Sequence, residues 1–129
     1  MKQNRTTRRL GEILREKVSS ILLFEVSDPR LDMITITGAE VSVDRSFARV
    51  YVSASSERYD EVLEGLESAK GRIRSILGRS LDWRVTPELV FEIDRTADEA
   101  ERIAHALRDA PASLDIEKDE SGYPLEEND

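Results

Sequence analysis

The feature that most constrains the fold is a strand–helix–strand unit in the middle of the chain. Residues 47–54 alternate apolar and polar side chains, residues 55–80 follow a helical pattern, and residues 84–93 alternate again, with Val85 on the core face. Two strands joined by a helix within one sheet nearly always run parallel, with a right-handed connection. The sequence therefore predicts two parallel strands covered by one long helix.

Three more segments complete the predicted order of elements. Residues 6–26 carry apolar side chains at helical spacing, and a short helix begins at Thr96 and ends before Pro111. Residues 33–43 read as a strand, but its core-facing side chains switch from even to odd numbers, which requires a bulge at Gly38–Ala39. The pattern predicts an α+β fold, α-β-β-α-β-α, with a three-stranded mixed sheet and the helices on one face.

Charge is distributed unevenly along the chain. The net charge is −8, but residues 111–129 contain seven acids and one base, while residues 1–30 contain seven bases and four acids. Local basic surfaces attract phosphate regardless of net charge. We therefore expect a KH-like domain over residues 1–110 that offers basic surfaces, followed by an acidic, disordered tail over 111–129.

The long central helix carries an unusual segment, Ala69-Lys70-Gly71. Lys70 occupies a position where the helical pattern calls for an apolar residue, and a glycine in a helix interior costs about 1 kcal/mol relative to alanine. These two features predict a kink or local unwinding at residues 68–71 that presents Lys70 and nearby amides to solvent. The alternative interpretation is that Gly71 lets two helices pack closely.

Several segments in this order and spacing resemble a type II KH domain and, more narrowly, the bacterial ribosome-binding factor A family. They span roughly residues 5–108. They include Asp28-Pro29-Arg30-Leu31, Val41-Ser42-Val43-Asp44, Ala48-Arg49-Val50-Tyr51-Val52-Ser53, Ala69-Lys70-Gly71 and Pro87-Glu88-Leu89-Val90-Phe91-Glu92-Ile93-Asp94.

The resemblance implies an RNA-binding function without catalysis. Ordinary KH domains clamp a nucleotide backbone with a Gly-x-x-Gly loop, and in this family an Ala-x-Gly kink between two helices takes its place. It implies a protein that binds the immature small (30S) ribosomal subunit, assists 16S rRNA maturation near its 5′ end and matters most in the cold. From the composition we expect a soluble cytoplasmic protein, and we further expect a monomer without cofactors.

The residues expected to contact the 16S rRNA precursor are basic residues of the first helix and residues at and after the predicted kink. They are Arg5, Arg8, Arg9, Arg15, Ala69, Lys70, Gly71, Arg72, Arg74 and Arg79. Such contacts to phosphate give affinity that falls steeply with salt. Tyr51 could stack on a base, but a half-exposed strand residue is the commoner case, and Trp83 could simply cover the edge of the domain.

Other functional classes find less support in the sequence. There is no cysteine, which excludes a disulfide framework and zinc–thiolate sites, and no apolar run approaches the roughly 18 residues of a membrane span. His105 is the only histidine, and neither a nucleophile–base pair nor metal-ligand spacing is present. A protein–protein adaptor built on a KH-like scaffold is the alternative function, and an rRNA endonuclease is a third possibility.

Overall fold

A computed structural model of the chain describes residues 1–109 and confirms the predicted order of elements. The elements are α1 (Arg5–Phe24), β1 (Thr35–Val41), β2 (Phe47–Ser53), α2 (Tyr59–Ser80), β3 (Glu88–Ile93) and α3 (Thr96–Arg108), with 3₁₀ turns at Pro29–Leu31 and Ser56–Arg58. The strand predicted to start at residue 84 starts later, and Val85 is exposed rather than on the core face.

The sheet is mixed, as predicted, with strand order β1-β2-β3. The β1–β2 pair is antiparallel and the β2–β3 pair is parallel. The register of β1 against β2 shifts between Ile36 and Gly38, one residue earlier than the bulge expected at Gly38–Ala39. Because of this extra residue, Ile36 and Val41 are both buried although their numbers differ in parity.

One hydrophobic cluster joins α1 and α2 to the same face of the sheet. Its members include Leu14 and Val18 from α1, Val50 from β2, and Leu66 and Ile73 from α2, all fully buried. Burying side chains of this size contributes roughly 1.5–3 kcal/mol each. The helices therefore hold a fixed position relative to the sheet, and their outer surfaces carry the charged side chains.

The N-terminal half of α1 lies directly against the backbone of β1. A Cβ atom built on Gly11 would be 2.3 Å from the Ala39 carbonyl oxygen, so only glycine fits at this position. Near the start of the helix, the Gln3 side-chain amide donates to the Val41 carbonyl oxygen at 3.2 Å. This close packing covers part of the free edge of β1, where unpaired backbone groups could otherwise pair with another chain.

The chain divides into two compact units between Asp94 and Arg95. The first unit contains α1, α2 and the sheet. The second contains α3, where Ile103 and Leu107 are exposed. The predicted acidic tail, residues 111–129, lies outside the described residues. Within residues 1–109, no helix has both the length and the apolar character to cross a membrane.

Candidate nucleic-acid interface

Three arginines stand at the start of α1 with their side chains in solvent. Arg5, Arg8 and Arg9 are exposed, and among residues 1–109 no carboxylate lies within ion-pair distance of them. The first turn of α1 also contains no acidic residue. The N-terminus of a helix carries partial positive charge, which disfavours cations there by a few tenths to about 1 kcal/mol each. The fold therefore gains nothing from these three charges.

The fourth arginine predicted on α1, Arg15, has carboxylate partners. It pairs with Glu12 one turn earlier, and its Nη2 lies 3.8 Å from Glu16 Oε2. The hydrogen bond from Arg15 lowers the pKa of Glu12 below its usual value. These partners compensate part of its charge, so Arg15 attracts phosphate less than the three arginines before it.

The Ala69-Lys70-Gly71 segment does not interrupt α2. Every residue from Tyr59 to Ser80 is α-helical, so the local unwinding predicted at residues 68–71 is wrong. Lys70 reaches solvent by extending its side chain: it is 25% exposed, and Nζ pairs with Glu67 at 2.9 Å. The cost of a lysine on the core stripe is thus avoided without distorting the backbone.

Gly71 is not a packing glycine either. It is exposed, and a Cβ atom built on it would meet nothing within 4 Å. A side chain could therefore be accommodated there, in contrast to Gly11, where the backbone of β1 excludes one. The small residue leaves an open strip of helix backbone between Lys70 and Arg72, where another backbone could approach closely.

The arginines that follow Gly71 are directed to different parts of the molecule. Arg72 is exposed, and its Nε donates to the Glu25 carbonyl oxygen at the C-terminal end of α1, at 3.0 Å. Arg74 is half-buried and donates to the carbonyl oxygens of Thr86 and Pro87, each at 2.9 Å, just before β3. Arg79 is exposed, and its Nη1 donates to the Ser75 hydroxyl at 3.0 Å.

The structure thus brings some predicted residues together and separates others. Lys70, Gly71 and Arg72 form one group beside the C-terminal end of α1. Arg5, Arg8 and Arg9 form another at its N-terminal end, about 25–30 Å away at 1.5 Å per helical residue. Arg74 belongs to neither group, because its guanidinium is hydrogen-bonded to the main chain just before β3.

Both aromatic side chains considered for base stacking have partners within the fold. Tyr51 lies on the face of the sheet opposite to α1 and α2, where its hydroxyl donates to Glu40 Oε1 at 3.0 Å, and burial raises the pKa of the phenol. Arg49 lies 3.5 Å from the same carboxylate and 2.9 Å from Glu92 Oε2. Trp83 is half-buried against the hydrophobic core.

Sequence reasoning missed the exposed aromatic side chain at the end of α1. Phe24 is 75% exposed and Leu23, next to it, is 73% exposed. The signal was present in the sequence, since residues 21–24 are four consecutive apolar residues and a helix cannot bury four in a row on one face.

The polar clusters near turns have structural functions. Asp28 caps the 3₁₀ turn and pairs with Arg30 at 2.8 Å, and hydrogen bonds from Arg30 lower the pKa of Asp28. His105 is exposed, with Nδ1 3.1 Å from Asp109 Oδ2. Over the described part of the chain, no group of three histidines or carboxylates is arranged to hold a metal ion.

Comparison with known proteins gives a consistent result. The family model described as ribosome-binding factor A matches residues 6–107. Ribosome-binding factor A of Halothermothrix orenii is 38% identical over 122 residues, which cover 93% of this chain and 99% of that protein.

Solved structures agree with the sequence comparison. The crystal structure of ribosome-binding factor A from Thermus thermophilus has a TM-score of 0.64 at 29% identity, over 70% of this chain and 97% of that one. A homology model of the Thermus thermophilus factor, fitted into the cryo-EM map of its complex with the 30S subunit, has a TM-score of 0.57 at 29% identity. It covers 67% of this chain and 92% of that one. The chain therefore belongs to the ribosome-binding factor A family.

Proposed function

We propose that this protein is a non-enzymatic assembly factor that binds the immature small ribosomal subunit and assists maturation of 16S rRNA near its 5′ end. The observation that carries the proposal is the arginine group at the start of α1, Arg5, Arg8 and Arg9. Its charges are exposed, lack carboxylate partners among residues 1–109 and oppose the helix dipole. Residues that a fold does not need, and that it places unfavourably, are expected at functional sites.

The group beside the end of α1 provides a second contact to the RNA backbone. Lys70 and Arg72 flank the open strip at Gly71, where a sugar-phosphate chain could approach the helix without meeting a side chain. Arg79, two turns further along α2, extends this contact. Recognition through phosphates reads shape rather than base sequence, which suits a folded rRNA partner.

Co-sedimentation with purified small subunits over a range of salt concentrations tests the proposal. The variant Arg5→Gln/Arg8→Gln/Arg9→Gln removes the arginine group and is expected to bind more weakly. Each lost phosphate contact lowers the log–log salt slope by about 0.7–0.9, so the slope should decrease by roughly two to three. The control Arg84→Gln/Arg102→Gln/Arg108→Gln removes the same charge from exposed positions outside the group and should bind like the wild type.

Two other results would favour other functions. Binding that does not change with salt, and that survives loss of the arginine group, would indicate a protein–protein adaptor instead. Cleavage of precursor rRNA by the purified protein would indicate a nuclease. For the maturation step, cells that carry only the triple variant should accumulate 16S rRNA with an unprocessed 5′ end.

A further inference from the structure

A patch of large apolar side chains lies in solvent around the C-terminal end of α1. Leu23, Phe24 and Met33 are 73%, 75% and 90% exposed. Single exposed apolar residues are ordinary, but several together with a polar rim mark an interaction surface. The hydrophobic core does not require these three side chains, because none of them belongs to it.

Two grooves join these side chains into one surface. One groove, of about 340 Å³, runs between α1 and the start of β1 and is lined by Leu23, Met33 and Ile34 among others. The other, of about 450 Å³, follows the loop after α1; Leu23 and Phe24 line one part of it, and the rest of its lining is mostly polar. Leu23 and Val26 line both grooves, so the surface, here called the apolar patch, is continuous.

The backbone holds Met33 in an unusual conformation within the apolar patch. Its φ is 59°, a left-handed value that an unbranched non-glycine residue adopts at a cost of about 1 kcal/mol or more. Burial of the side chain does not offset this backbone cost, because the Met33 side chain is exposed to solvent. Methionine adapts its shape to different partners and recurs on binding surfaces.

The charge of the groove walls selects the kind of partner. Three carboxylates line the grooves, those of Glu25, Asp28 and Asp32, and among the described residues no cationic one lines them. Asp28 is neutralised by Arg30, but within residues 1–109 neither Glu25 nor Asp32 has a cationic side chain in ion-pair contact. Two further arginines approach these residues, but they donate to main-chain carbonyl oxygens and do not line the grooves: Arg58 to that of Asp32 at 2.7 Å and Arg72 to that of Glu25 at 3.0 Å. A phosphate backbone would be repelled at this surface, whereas a lysine or arginine side chain would be attracted.

From the exposure, the shared grooves and the acidic rim, we infer that the apolar patch binds a basic protein segment that carries large apolar side chains. The surface is separate from the arginine group, which lies at the other end of α1, about 29 Å away. The N-terminal end of α1 thus contacts RNA through the arginine group. At its C-terminal end the apolar patch adjoins Arg72 of the second RNA contact on α2 and itself contacts a basic protein. The second contact does not depend on the RNA contact that we propose above.

Site-specific photocrosslinking on the small subunit separates the possible occupants. Phe24 is replaced with the photoreactive analogue benzoylphenylalanine, and the irradiated complex is digested with ribonuclease and analysed by mass spectrometry. A crosslink from position 24 to a lysine- or arginine-rich ribosomal protein is the expected result. The same analogue at Arg5 should crosslink to rRNA, and at Val43, 66% exposed beyond the opposite end of β1, it should give no protein crosslink.

Three results would overturn the inference. They are a crosslink from position 24 to rRNA, a crosslink to a second copy of this chain, and no crosslink at 24 while position 5 reacts. Failure of the protein to associate with subunits at all would refute the proposed function. A second measurement then tests separately whether the apolar patch binds a basic protein segment.

That measurement needs no ribosome. A fluorescent peptide of alternating lysine and leucine blocks is titrated with the full chain, and binding is followed by anisotropy. Leu23→Gln/Phe24→Gln should weaken binding at least tenfold, and Val43→Gln should leave it unchanged. Equal affinity of the two variants would sink the inference. Both changed residues are largely exposed, so urea unfolding should confirm that the variant folds like the wild type.

Discussion

Replacing Gly71 with alanine is expected to stabilise the protein. Gly71 is helical and exposed, and the added Cβ would meet nothing within 4 Å. Alanine is favoured over glycine in a helix interior by about 0.8–1 kcal/mol, and here no clash offsets that gain. The free energy of unfolding should therefore rise by about 1 kcal/mol. In urea this corresponds to an increase in the unfolding midpoint of roughly 0.5–1 M, and in a thermal scan to about 4–8 °C.

The same variant tests how Gly71 is used. If an RNA backbone approaches α2 at the open strip, the new methyl group should weaken small-subunit binding while it stabilises the fold. Opposite signs for the two effects would separate a functional glycine from a structural one. A neutral or destabilising effect on unfolding would refute the reasoning, because it would mean that residue 71 does not occupy a regular helix in solution.

Three further predictions concern stability. Gly11→Ala should lower the free energy of unfolding by about 2–3 kcal/mol in urea, since its Cβ would meet the Ala39 carbonyl oxygen at 2.3 Å; a loss below 0.5 kcal/mol would contradict the close packing. Arg74→Met should cost about 1–3 kcal/mol because it leaves two main-chain carbonyls without their donor, while Arg79→Met, with one exposed contact, should stay within about 0.5 kcal/mol. Hydrogen bonds from a turn backbone amide and two serine hydroxyls lower the pKa of Asp44. Its contribution to stability is therefore present above the unfolded pKa of about 3.9 and is lost as pH falls through the lower folded pKa. Asp44→Asn should reduce the loss of unfolding free energy below about pH 4, and an unchanged dependence of stability on acidic pH would argue against those hydrogen bonds.

The fold could be predicted from the sequence because its determinants are local. The core-facing side chains of β1 change from even-numbered to odd-numbered positions, which requires an extra residue, and the register shift between Ile36 and Gly38 supplies it. Val85 was placed wrongly because alternation does not reveal where a strand starts. The turn before β3, where Arg74 holds two carbonyls, delays the strand to Glu88.

The site was less predictable because its contacts are not local. The pattern located the basic residues but could not show that Arg72 reaches a carbonyl 47 residues away in the chain. A lysine on the buried side of a helix can reach solvent either by extending its side chain or by local unwinding of the backbone, and the pattern could not show that Lys70 does the first, beside Glu67. Phe24 could not be identified as exposed because a helical pattern predicts which positions are buried and does not distinguish among the positions outside the buried face.

The contact at Gly11 also limits how α1 can respond to a partner. With the helix backbone seated on the carbonyl of Ala39, α1 cannot slide by a residue or rotate without bringing a side chain into the strand. The arginine group and Phe24 must then move as one rigid piece with the sheet. If the protein docks on the small subunit as we propose, the spacing between these two groups is fixed in advance. A precursor whose surface does not match that spacing would then be held less tightly than one whose surface does.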